Sequence, residues 1–282
     1  MNDANASDTD DTISLAAGCT YSLTTMNSSD ETGATALPVI PYVGDGGALI
    51  INGNGATIER SADTEAFFRL FAIASGGDLT LNNLTVRNGS FADESSAQFS
   101  SGGGILNRGV LTLSNVNVTG NTAGNCGGGV SNGPIGGFIH LEDGTMTITN
   151  STISGNHSLG CGGGIYNNGS LILTNSTVDN NQASGGGSSF FDSDCSGGGI
   201  FSNGNLTLTS STISNNTAVF DGGGICGSGL TMTDSTISGN SAGHDGGGVF
   251  NNGTFSMITS SISDNTADSG AGIYNANDFY SN

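Results

Sequence analysis

The sequence predicts an all-β chain, a single-stranded parallel β-helix built from stacked coils of about 24–25 residues with three short strands each. Three observations carry this. Short segments such as "NLTLTSSTISNN" (205–216) alternate apolar and polar residues with a period of two, which is strand and not helix periodicity. The alternating segment recurs along the chain, beginning at Asp78, Val110, Thr145, Ser170, Asn205, Gly229 and Thr254. Related glycine-rich stretches recur ahead of these segments, among them "SGGGILNRG" from Ser101, "CGGGIYNNG" from Cys161, "SGGGIFSNG" from Ser196 and "DGGGVFNNG" from Asp245. A unit this short cannot bury its inner face alone, but copies stacked on one another close a continuous core.

The elements follow in order. Residues 1–44 form an N-terminal tail and an irregular capping coil, "DTISLAAGCTYSLTT…LPVIPYVG", needed because an open rung is an exposed sheet edge. Residues 45–282 form the helix proper. Within a unit, Leu206 and Leu208 face the core while Thr207 and Thr209 face out; after a bend, Ser211 and Ile213 turn inward and Thr212 outward. A further apolar position follows each glycine triplet: Ile105, Val130, Ile165, Ile200, Ile225, Val249 and Ile273. Longer spacings between units contain "FADESSAQF", "PIGGFIHLED" and "SSFFDSD", which read as surface insertions on an otherwise constant coil.

Stacking turns equivalent residues into columns ~4.8 Å apart. Asn121, Asn156, Asn181, Asn216, Asn240 and Asn265 share one corner, where side-chain amides can bond from rung to rung. The GGG triplets occupy a second corner, where a sharp turn and crowded rungs favour residues without Cβ.

"GGGIYNNGSLILTNSTVDNNQA" and "GGGIFSNGNLTLTSSTISNNTA", with the upstream "LIINGNGATIER…FFRLFAIASGGDLTLNNLTVRNG", resemble the right-handed β-helix proteins of the pectin-lyase-like superfold. In particular the chain is similar to bacterial surface proteins with polymorphic-outer-membrane-protein-type repeats, whose GG-I-x-N and F-x-x-N elements are matched by "GGGIYN", "FSNG" and "FNNG". The resemblance covers about residues 45–276. It implies a right-handed coil and a secreted or cell-surface setting, but not one activity, because the superfold hosts lyases, hydrolases, adhesins and passive scaffolds.

Composition narrows the partners. The chain holds 24 acidic residues against 4 basic ones, a formal net charge of −20, with no lysine and no arginine beyond Arg108. Phosphate neutralisation needs Lys and Arg, so nucleic acid is excluded as a partner, and anionic membrane surfaces with it. No apolar run is long enough to span a bilayer as a helix. The polar, acidic start "MNDANASDTDD" is what remains if a signal peptide is removed and Met1 added.

Four constellations can carry chemistry. Asp221 and Asp245 immediately precede GGG in successive units, and Asp192 and Asp194 lie in the insertion just before; together they could supply a calcium oxygen shell, the alternative being solvated turn aspartates. Cys126 and Cys161 precede their triplets in adjacent units, within Cα reach of a disulfide. Cys195, displaced by one residue, competes for Cys161; Cys226 takes the outward position held by Tyr166, and an odd total of five leaves at least one thiol free. Buried unpaired cysteines are the alternative, whereas a rung-to-rung disulfide implies an oxidising compartment. Thr147, Thr207 and Thr231 form one outward column, and Thr149, Thr174, Thr209 and Thr233 the next. Such a nearly uncharged grid of hydroxyls and methyls could order water and bind ice, or lie against sugar rings; threonine is also simply a good outward strand residue. Finally, a polysaccharide lyase or hydrolase needs a cationic clamp or paired carboxylates. Arg60, Arg69 and Arg87 are expected instead to neutralise Glu59, Asp63 and Glu65, and His140, His157 and His244 occupy unrelated positions in their units. The expectation is a non-catalytic cell-surface scaffold or adhesin that presents loops 90–100, 133–143 and 187–195, with ice or glycan binding, then polysaccharide cleavage, as rivals.

Overall fold

A computed structural model describes residues 1–5, 9–30, 33–41, 47–92, 100–133, 144–185 and 195–276. Among these the chain is all-β, with one four-residue helix at Asn2–Asn5. The strands fall into sheets of 15, 8 and 6 strands that are parallel throughout, plus one antiparallel two-stranded ribbon, Ser28–Asp30 with Gly33–Thr35. Strands one repeat apart are hydrogen-bonded neighbours, the arrangement of a solenoid. Leu206 stands opposite Leu171 on one side and Leu230 on the other. The register runs unbroken from Asp78 through Val110, Thr145 and Ser170 to Asn205.

A coil contributes four strand segments where the sequence predicted three. In one coil these are Ile165–Asn167, Ser170–Thr174, Thr177–Asp179 and the two-residue Gln182–Ala183. The second and third belong to one sheet, since in earlier coils they are a single run, as in Val110–Thr119. The fourth was invisible to a search for alternation because two residues have no period. It stacks into the six-stranded sheet through Ala123, Ser158, Ala183, Ala218 and Ala242. The first coil belongs to the same stack: Asp11–Ser14 and Thr20–Leu23 pair with Leu49–Arg60, and Ile40 bridges Ile73.

The core is a pile of thin layers. In one, Ile200, Leu206, Leu208 and Ile213 are each 2% exposed or less. Each such side chain contributes about 1.5–3 kcal/mol by leaving water. Between the layers, polar corners are satisfied along the axis. The carboxamide of Asn181 accepts from the backbone N–H and Nδ2 of Asn156, both at 3.0 Å, and donates to the Ile153 carbonyl at 2.9 Å and to Oδ1 of Asn216 at 3.0 Å. The pattern repeats from Asn121 to Asn265. A serine column does similar service at the bend within the large sheet: Ser176 Oγ accepts from the backbone N–H of Ser151 at 3.2 Å and donates to the carbonyl of Thr174 at 2.8 Å.

Each coil also needs three left-handed residues. At the bend inside the large sheet they are Asn83, Asn115, Asn150 and Asn175, with φ between 49° and 54°, then Ser210, Asp234 and Thr259. Asparagine tolerates this region because its short amide bonds locally. The glycine triplet divides its work. Its first member turns the chain, Gly162 having φ 59°. The second and third allow contact: a Cβ on Gly164 would sit 2.8 Å from the Gly199 carbonyl and 2.9 Å from the Asn181 amide, closer than real Cβ atoms approach.

Candidate functional site

The outer face of the large sheet is the most regular surface of the chain. Register places Thr80, Thr112, Thr147, Ile172, Thr207 and Thr231 in one column. The next holds Asn82, Ser114, Thr149, Thr174, Thr209 and Thr233, ending on Ile258. A third column was missed in the sequence: Thr85, Asn117, Thr152, Thr177, Thr212, Thr236 and Ser261. Its signal was present in the recurring "STI" and "STV", each an inward serine, an outward threonine and an inward aliphatic. The seven threonines named from the sequence are all half-exposed or exposed. None of the three columns carries a charged side chain from Thr145 to Thr236, although Asp179 and Asp234 lie beside them. Asp179 is engaged in place, accepting from Ser214 Oγ and Asn215 Nδ2, both at 2.8 Å.

Of the acidic corner, Asp221 and Asp245 are among the described residues. Asp221 is buried, and its Oδ1 accepts the backbone N–H of Asp245 at 3.0 Å. This is a rung-to-rung bond of the kind that Ser101 Oγ makes with the Cys126 N–H in the same column of coil starts. Asp192 and Asp194 lie outside the described residues, as do most of the three insertions and His140. Among the described residues no group of three or more His, Cys, Asp or Glu is placed to hold a metal ion.

Cys126 and Cys161 are joined, with Cα atoms 4.5 Å apart, and Cys195 pairs with Cys226 at a Cα separation of 6.0 Å. Cys195 therefore does not take Cys161. Cys226 is not outward in the sense of facing water: it is fully buried in a second apolar cluster with Tyr166, Phe201 and Phe250. The cause is the glycine corner, which folds the residues before each triplet back over the outer face of the eight-stranded sheet. Tyr166 and Phe201 stack there with centroids 5.6 Å apart. Cys19 stays free and exposed. Converting Cys126 and Cys161 to serine is expected to cost about 3–4 kcal/mol, the loop-closure value for a 35-residue span. Urea denaturation of the double variant against the parent chain checks this, and a loss below about 1 kcal/mol would remove the cross-link from the stability argument.

The basic residues are structural and only one matches expectation. Arg87 meets Glu59 at 2.6 Å. A hydrogen bond from Ser22, together with Arg87, holds the Glu59 carboxyl below its ordinary range. Arg60 instead donates to the carbonyls of Ala66 and Thr64, both at 2.7 Å. Arg69 is fully buried, lies 4.0 Å from the Phe91 ring centroid and donates to the Ser101 carbonyl at 3.0 Å. His157 Nε2 lies 2.8 Å from Ser184 Oγ, and burial lowers its pKa, favouring the neutral ring. His244 packs edge-on against Phe220.

Comparison with protein-family models and with curated proteins finds no match. The functional reading therefore rests on the surface itself. What the hydroxyl face can do is hydrogen-bond, in a fixed repeat of ~4.8 Å along the axis and ~6.6 Å along a strand, to a neutral ligand or to water.

Proposed function

We propose that this chain is a right-handed parallel β-helix of the pectin-lyase-like kind, secreted or displayed at a bacterial cell surface, acting as a non-catalytic scaffold or adhesin. Its insertions and its threonine-rich face meet a glycan or a cell surface. The observation that supports this most is the three in-register, uncharged columns made mainly of hydroxyl side chains and interrupted at Ile172, Asn82 and Asn117, a periodic surface matched to an extended neutral polymer. The paired cysteines fit an oxidising compartment. An array of neutral and acidic glycans tests the reading. Binding to a neutral chain that falls at least tenfold in Thr174→Lys, with an unchanged melting temperature, is the expected result. Binding unaffected by Thr174→Lys removes the face as the site, and release of reducing ends or unsaturated products overturns the non-catalytic assignment.

A second reading, ice binding, is favoured by one observation: the Thr152, Thr177, Thr212 and Thr236 column runs without interruption over successive rungs. Thermal hysteresis abolished by Thr177→Lys would select it over the glycan reading.

A further inference from the structure

The bends of the coil carry a second pattern. Asn83-Leu84-Thr85, Asn88-Gly89-Ser90, Asn150-Ser151-Thr152, Asn175-Ser176-Thr177 and Asn252-Gly253-Thr254 each read Asn-x-Ser/Thr. This is the acceptor signature for N-linked sugar, in which the asparagine amide takes the sugar and the hydroxyl two residues on is the group a transferase reads.

The fold presents both groups on the surface. All five asparagines are exposed, and the backbone at Asn83, Asn88, Asn150 and Asn175 is left-handed. The residue after three of them, Leu84, Ser151 and Ser176, is buried, so the following threonine returns to the outer surface. Among the described residues none of the five carboxamides is engaged in a hydrogen bond. Asn115, a bend asparagine outside the motif, instead donates to Ser114 Oγ at 3.3 Å. Asn215 has the motif, but its amide donates to Asp179 Oδ1 at 2.8 Å. Asn156-His157-Ser158 has it too, yet Asn156 is 1% exposed and its Nδ2 donates to the Val118 carbonyl and to Oδ1 of Asn181, both at 3.0 Å. Sequence makes Asn156 an acceptor equal to the others; burial in the amide ladder removes it.

We propose that the folded chain is N-glycosylated at Asn83, Asn88, Asn252 and one of the pair Asn150 and Asn175, and not at Asn156. The reaction joins the amide Nδ2 to the anomeric carbon of a glycosyl diphosphate. The C–O bond to the diphosphate breaks, the diphosphate leaves with the electron pair, and the amide nitrogen gives up one proton. Asn150 and Asn175 stand ~4.8 Å apart on adjacent rungs, which leaves room for one sugar. A sugar at that pair lies between the second and third hydroxyl columns and competes with a free ligand there, whereas Asn83, Asn88 and Asn252 lie outside the stretch from Thr145 to Thr236. Attachment is independent of the binding reading, since a glycan array of unmodified chain can succeed or fail on its own.

Tandem mass spectrometry on the full chain, isolated from the cells that make it, locates any added sugar. The expected result is sugar on Asn83, Asn88, Asn252 and the Asn150 and Asn175 pair, with Asn156 bare. A single monosaccharide on each identifies a nucleotide sugar as donor and a larger block a lipid-linked oligosaccharide; either supports the proposal. The double variant Thr152→Ala, Thr177→Ala should lose all sugar from the pair, and Thr152→Ser, Thr177→Ser should keep it, with melting curves to establish that both are folded. Bare asparagine at all five positions overturns the proposal, as does Asn156 filled to the same extent as the others, or sugar retained on the pair in the alanine variant.

Discussion

Asn181→Ala is expected to lower the free energy of unfolding by about 3–6 kcal/mol, although it removes a residue that touches no ligand and carries no charge. The substitution strips the acceptor from two donors of Asn156 and the donor from the Ile153 carbonyl, all in a corner where Asn181 itself is 1% exposed. Each buried group left unmatched costs about 1–3 kcal/mol. The loss exceeds that of an ordinary hydrogen bond because the amide is one member of a chain of identical amides, polarised in one direction. Asn175→Gly, at an exposed left-handed bend six residues away, is the internal contrast and should change stability by only a few tenths of a kcal/mol. Urea denaturation monitored by far-ultraviolet circular dichroism separates the two, and an Asn181→Ala loss below about 1 kcal/mol would mean that the column is ornamental.

Gly163→Ala should be at least as damaging, with a loss of about 3 kcal/mol or more, or no folded product. A methyl there would strike the carbonyls of Gln182, across the same coil, and of Gly198 in the next coil, backbone atoms that cannot rotate away. Relief requires neighbouring rungs to part, against their own hydrogen bonds; even ordinary overpacking of a core costs about 1–3 kcal/mol. Gly229→Ala adds the same methyl where the nearest atom is the Gly204 carbonyl at 3.4 Å, so it should be neutral or stabilising by up to about 1 kcal/mol. The paired melts check the idea that crowding, and not flexibility, keeps glycine in the triplet.

Alternation plus a recurring unit, once its insertions are set aside, was sufficient to read the stacking, and the predicted opposition of Leu206 and Leu230 is found in the register. Those features are legible because they follow from a periodicity that any half-buried strand must obey. What was not legible depends on how the corners fold in space. Tyr166 and Cys226 alternate correctly and so were read as outward, yet the glycine turn covers them. The same folding sets Cys195 beside Cys226, an outcome that position within the unit did not reveal. Arg69 was assigned to nearby acids because these lie close in sequence; its partners at Ser101 and Gly102 lie one coil away. For the hydroxyl face, two columns were assembled from the sequence; Thr212 beyond the bend was placed outward, but its equivalents Thr152, Thr177 and Thr236 were not joined to it as a third.

The two cross-links also bear on how the rod answers force. Each coil grips only the coils before and after it, so tension applied at the C-terminus would strip rungs in succession, starting with the strands beyond Asn251. Load that reaches Cys226 passes through the cross-link to Cys195, so the segment between them cannot lengthen; the Cys126–Cys161 bridge withholds a second segment further in. A rod cross-linked this way extends under load by less than its full contour length, because both bridged segments are bypassed.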